Sequence, residues 1–211
     1  MPNFVINKIT IFGNTEKLKK IFFLKNERLN FSFESFLSTP KDLEESVSSY
    51  LSEHILRYLS DPSEENKENI LSKLKSYKHI NTKSLSFEEI ISEFNLNEER
   101  YSATTPYSWR INKWGCRGDA SDSYCIEGDP TVFYFKTPWN VPLDGLLHLS
   151  ALLFNSKIIV DFADENIGYN CGRLILLNRQ IEERPTEEDL KKKYTKDFAK
   201  NLWSEYHKLI K

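Results

Sequence analysis

Apolar residues recur along this chain with two different periods, and the switches between them mark its elements. Residues 3–12 alternate, with Val5, Ile9 and Ile11 on one side and Phe4, Ile6 and Phe12 on the other. That pattern predicts a strand covered on both faces. Gly13-Asn14 closes it, and a helix carrying Leu18, Ile21 and Phe22 follows. A short alternating stretch over 29–33 reads as a second strand. From 41 to about 96 the period becomes helical. Leu43, Val47, Tyr50, Leu51, His54 and Tyr58 recur on one face until Asp61-Pro62 breaks the run. A weaker helix carries Ile70, Leu71 and Leu74. A third starts at Ser86, where Glu89 three residues on completes a capping box.

Beyond residue 106 the alternation returns. Tyr107, Trp109 and Ile111 alternate with Ser108, Arg110 and Asn112, which predicts a strand running to Trp114. The glycine- and aspartate-rich segment 115–130 reads as a long loop or a ragged hairpin connection. Strands are expected over 131–137, 157–163 and 173–177. Pro138, Asn140 and Pro142 announce a leucine-rich helix over 143–154, and Pro185-Thr186 with Asp189 opens a C-terminal one.

This order predicts an α+β fold: a ferredoxin-like antiparallel sheet with helices on one face and an inserted helical subdomain. The expected division is a sheet domain from 1–40 and 107–180, a helical insertion over 41–106, and a C-terminal helix over 181–211 packed on the domain.

Composition then narrows the function. Basic and acidic residues nearly balance, 29 against 31, so no long-range field draws in a polyanion. No apolar run reaches membrane-spanning length. The first residues lack a basic stretch leading into an apolar run. The three cysteines, Cys116, Cys125 and Cys171, have no CxxC spacing and read as reduced thiols. Together these readings lead to a cytoplasmic protein without a membrane partner.

Several clusters suggest chemistry. If 107–114 is a strand, Trp109 and Trp114 lie an odd number of residues apart and point to opposite faces, so one ring meets solvent beside Arg110 and Asn112. A tryptophan next to arginine is a common composition for a docking surface. The expected binding surface is therefore Arg110, Asn112, Trp114, Arg117 and Trp139. The same Trp114, with Arg110, Lys113 and Arg117, would suit a stacked base and phosphates, which makes RNA or single-stranded nucleic acid the alternative partner. Loop carboxylates at Asp119, Asp122, Asp129, Asp161, Asp164 and Glu165 motivate a third reading, a metal-dependent enzyme. Those residues are also ordinary turn formers. Cys116 beside Arg117 raises the question of an activated thiol. No P-loop, GxGxxG, HExxH or GxSxG spacing occurs. No catalytic residue, metal ligand or cofactor is assigned.

Four stretches carry a resemblance. They are Met1-Pro2-Asn3 with Asn7-Lys8-Ile9-Thr10-Ile11 and Gly13; Trp109-Arg110-Ile111-Asn112-Lys113-Trp114-Gly115 with Asp119-Ala120; Phe135-Lys136-Thr137-Pro138-Trp139-Asn140-Val141-Pro142; and Asp164-Glu165 with Gly168 and Gly172. The chain resembles a family of phage- and plasmid-borne proteins, named after an aphid-endosymbiont phage product, with a YubB-type ferredoxin-like domain. It departs from that pattern at Cys116, Arg117 and Gly118, where the family shows a small hydroxyl, a lysine and a tryptophan. The resemblance implies a ferredoxin-like domain, a mobile-element origin and a cytoplasmic setting, and it transfers no functional residues. The resulting expectation is an accessory protein of such an element, a non-enzymatic module that binds a host or element-encoded protein.

Overall fold

The two-sided alternation of the first strand sets the sheet. In a computed structural model of the chain, β1 (Phe4–Phe12) lies between two antiparallel neighbours, β5 (Asp129–Pro138) and β6 (Lys157–Asp164). β4 (Ser121–Ile126) adds to β5, while β7 (Cys171–Leu177) and β8 (Gln180–Glu183) extend the other side, giving the order β4-β5-β1-β6-β7-β8. Every neighbouring pair is antiparallel. A small hairpin, β2 (Leu24–Lys25) with β3 (Arg28–Leu29), stands apart. The structure describes all residues except 1–2, 14, 23, 26–27, 77–84, 185, 187, 189–195 and 211. Two compact units result: Met1–Ser38 with Lys113–Lys211, and Thr39–Asn112.

In the sheet unit both faces are covered, as the first strand's pattern predicts. Val5, Ile9 and Ile11 share one face with Phe133 and Phe135, and all are buried. Phe22, Phe31, Phe33 and Trp114 pack there, with Phe31 stacked on Phe135 at 4.2 Å between centroids and Phe33 on Trp114 at 5.5 Å. α1 (Thr15–Ile21) and α7 (Leu143–Leu152) belong to this layer. The opposite face receives the C-terminal helix, α8 (Lys196–Leu209), whose Ala199, Leu202 and Tyr206 pack on Ile6, Tyr134, Ala163 and Cys171. Lys8 and Tyr134 both donate to the Glu205 carboxylate, at 2.9 and 2.7 Å, which ties that helix to β1 and β5. The expected opening of this helix at Pro185, Asp189, Leu190 and Tyr194 lies outside the described residues.

Gly145 shows how tightly α7 sits. A Cβ there would come within 2.8 Å of two ring carbons of Phe33. Alanine in a helix interior is favoured over glycine by up to about 1 kcal/mol. Phe33 is fully buried among other rings and has nowhere to retreat. Gly145→Ala is therefore expected to destabilise, by about 1–3 kcal/mol, read as a lower urea midpoint.

The other unit is helical. After the short α2 (Lys41–Glu44), α3 (Val47–Ser60), α4 (Glu64–Ser76) and α5 (Phe87–Tyr101) enclose a core of Val47, Leu51, Ile55, Ile70, Leu74, Phe87, Ile90 and Phe94. The Ser86–Glu89 capping box is formed in both directions. Buried Asn97 donates to the hydroxyls of Ser46 and Ser48, joining α5 to the start of α3.

Two expectations are corrected, and one of two alternatives is settled. Residues 107–114 are not a strand but part of α6 (Pro106–Trp114). Thr105 accepts from the Ser108 N–H and the Ser108 hydroxyl accepts from the Thr105 N–H, with Pro106 at the first helical position. A reciprocal cap with proline behind it is a helix start, and it overrides the period-two pattern that follows. Segment 115–130 contains β4, so the hairpin alternative applies. Asp122, with φ 48°, falls at a register shift, and Gly128, with φ 80°, at the turn. The strand expected over 29–33 reduces to Arg28–Leu29, followed by a 3-10 turn at Phe33–Ser35.

Candidate functional site

The helical state of residues 106–114 redistributes the five residues expected to form one surface. Trp114 is fully enclosed (0% exposed), and its indole N–H donates to the Leu37 carbonyl at 2.9 Å. Trp109 is also buried. The half-wet, half-dry strand that motivated the surface does not exist. Arg110 pairs with Glu44 at 2.6 Å and donates to the Thr39 hydroxyl at 3.0 Å, and exposed Asn112 donates to the Ser102 carbonyl.

The remaining two residues come together. Arg117 places its guanidinium 6.0 Å from the ring centroid of Trp139, at the outer limit of a cation–π contact. Trp139 is 43% exposed. Its presentation is built from the backbone up. β5 ends at Pro138, and the Asn140 N–H bonds back to the Pro138 carbonyl at 2.9 Å. Trp139, the residue spanned by that bond, has φ 71°. An i to i+2 bond around a positive φ is the rare, strained form of γ-turn, and a bulky side chain makes it costlier still.

Neighbours on both sides hold this turn. The Trp139 N–H donates to the Asn3 carbonyl at 2.8 Å, and its own carbonyl accepts from the Asn170 side chain at 3.5 Å. From below, buried Asn7 donates to the Thr137 hydroxyl, which donates to the Asn140 carbonyl. Among the described residues, the Asn7 side-chain oxygen is the one buried side-chain polar atom without a hydrogen-bond partner.

Strand order adds a second aromatic at the same sheet end. β1 runs antiparallel to both β5 and β6, so the ends of those two strands flank its beginning. The turn after β6 carries Tyr169, 68% exposed, and is pinned by the Glu165 N–H to the Phe4 carbonyl and by the Asn166 N–H to the Asp164 carboxylate. Trp139, Tyr169 and Arg117 thus occupy one end of the sheet, on backbone fixed by hydrogen bonds. Sequence reasoning missed Tyr169, although its place in a Gly-Tyr-Asn turn was visible.

The carboxylates have structural partners. Asp119 accepts from the Ser32 hydroxyl and the Phe33 and Ala120 N–H groups, Asp122 pairs with Lys136, Asp129 caps Thr131, and Asp161 grips Arg173 with both oxygens. Among the described residues no three His, Cys, Asp or Glu side chains converge as a metal site would require. The activated-thiol question for Cys116 is answered by burial, which, with the negative charge of Asp119 adding to it, pushes its pKa up to about 12; the thiol donates to the Gly118 carbonyl. At neutral pH it is a buried, protonated thiol. Among the described residues no helix is long and apolar enough to cross a membrane.

Residues 113–204 match a family model described as a ferredoxin-like domain in Api92-like protein, a span that holds Arg117, Trp139 and Tyr169. This agrees with the ferredoxin-like domain that the sequence resemblance implied. No curated protein matches the chain. Among solved structures, the chain is similar to the crystal structure of a protein Api92 from Yersinia pseudotuberculosis. That likeness has a TM-score of 0.43 and 9% identity, over 87% of this chain and 97% of that one. Nothing about activity follows from a likeness at that level.

Proposed function

We propose that this chain is a non-enzymatic protein-binding module of a phage, plasmid or related mobile element, acting in the cytoplasm by docking on a host or element-encoded protein through the Trp139 turn. The observation that carries this reading is the strained γ-turn. A tryptophan nearly half in water is held at a positive φ by the hydrogen bond its N–H donates to the Asn3 carbonyl and the one its carbonyl accepts from Asn170. Backbone strain of this kind costs about 1–3 kcal/mol and persists only where surrounding structure imposes it, commonly at functional positions. A rigid aromatic with little side-chain entropy to lose, an arginine over its face and a second exposed ring beside it match the residue types that anchor protein interfaces. The mobile-element assignment rests on the resemblance of the runs around Asn7, Trp109, Phe135 and Asp164.

Photo-crosslinking from position 139 tests it. With a benzophenone amino acid at Trp139 in cells, a discrete, protease-sensitive adduct is expected. Tyr169→Ala or Arg117→Ala should reduce its yield by about tenfold or more, since loss of an anchor costs 1–2 kcal/mol or above. An adduct destroyed by nuclease instead would identify RNA or single-stranded DNA as the partner. No discrete adduct of either kind would sink the docking assignment.

A further inference from the structure

We propose that the helical unit carries a second, separate site: a cleft between α3 and the start of α6 that receives an arginine side chain presented by a partner protein. The cleft holds about 580 Å³ and is lined by Tyr50, Glu53 and His54 from α3, by Tyr107 and Arg110 from α6, and by Glu44. Its walls explain the choice of occupant. Tyr50, expected from helical spacing to join the apolar face, is exposed, as is Tyr107, and both phenol rings line the cleft.

The hydroxyls behind them are committed within the fold. Ser49 donates to the Leu43 and Thr104 carbonyls, and Ser52 bonds with the Thr104 hydroxyl. Arg110 is engaged by Glu44 and Thr39, which cancels one positive against one negative charge. Glu53 remains. Among the described residues no ion pair involves it, so the charged side chains lining the cleft, Glu44, Glu53 and Arg110, leave one negative charge uncompensated.

A ligand complementary to this has a positive charge, several donors and a flat face. A guanidinium provides all three: it stacks on tyrosine and offers paired N–H groups to a carboxylate. A lysine ammonium matches the charge but not the planar contact. The volume exceeds one side chain and accommodates the flanking backbone of a peptide segment.

The test uses the full chain and a minimal probe, N-acetyl-arginine N-methylamide, followed by backbone amide shifts. Saturable shifts at Tyr50, Glu53 and Tyr107 are expected. The isosteric citrulline amide, which lacks the charge, should bind at least about tenfold more weakly, as should Glu53→Gln with the arginine probe, because a charged hydrogen bond is lost. Glu53 is exposed, so that variant keeps the fold. Equal binding of the citrulline probe, unchanged affinity in Glu53→Gln, or no saturable shift would each overturn the assignment. Trp139→Ala should leave the arginine probe's affinity unaltered, so this site and the Trp139 surface stand or fall separately.

Discussion

Trp114→Ala is expected to lower the stability of the chain by about 3–5 kcal/mol, the range for deleting a large aromatic from a packed core. The ring has no exposure, stacks on Phe33, and satisfies the Leu37 carbonyl through its indole N–H. Truncation leaves a void among aromatics that cannot close it, and a buried acceptor without a donor. Trp114→Phe should recover most of the packing while still losing the hydrogen bond, at about 1–3 kcal/mol. Urea unfolding of the full chain measures both. Trp139→Ala is the internal contrast, since its ring is nearly half in water. If the two alanine variants unfolded at the same urea concentration, the core assignment of Trp114 would be wrong.

The second large effect is alkaline destabilisation. Burial holds Cys116, Tyr134 and Tyr206 protonated, raising each to about 12 from 9.0, 10.0 and 10.0, with the negative charge of Asp122 adding to the effect at Tyr206. The sign follows from which state releases the proton first. The unfolded chain ionises at the lower value, so stability is intact below about pH 9 and falls as pH climbs toward 12. Between the unfolded and folded values Cys116 removes up to about 1.4 kcal/mol per pH unit, and Tyr134 and Tyr206, more screened by solvent, each remove less. Lys8 acts in the same direction. Burial pulls its pKa down, but its hydrogen bonds to Tyr134 and Glu205 prevail and leave it raised, which favours the folded state until it deprotonates. Urea midpoints collected under reducing conditions from pH 8 to 11 should fall progressively. Cys116→Ala should lessen the onset between pH 9 and 10, where the unfolded chain ionises at Cys116 and at Cys171, whose pKa burial also raises. A flat profile would mean these groups reach water in the folded state.

Where local chemistry and global packing agreed, the architecture was legible. The two-sided alternation of β1, the Ser86–Glu89 box and the Asp61-Pro62 break all act within a few residues, and all three appear as expected. The error at residues 107–114 came from giving alternation more weight than a cap. Tyr107 and Ile111, four apart, share a helical face as readily as a strand face. The Thr105-Pro106-x-Ser108 start is present in the sequence and decides the helix. With the helix in place, Trp114 belongs to the core, and the two members of the expected surface that meet are Arg117 and Trp139.

The sequence by itself determined the α+β class, the two-faced first strand and the helical character of the block before α6, because periodicity and capping are decided by neighbours along the chain. Only the tertiary structure decided which tryptophan meets solvent. A positive φ at Trp139 is disfavoured by its own side chain and is held by a hydrogen bond donated to Asn3 and another accepted from Asn170, more than thirty residues away on either side. The same holds for the cleft beside α3. Glu44 and Arg110 are far apart in the chain, and their pairing, which leaves Glu53 as the uncompensated charge, exists only once the helices have packed.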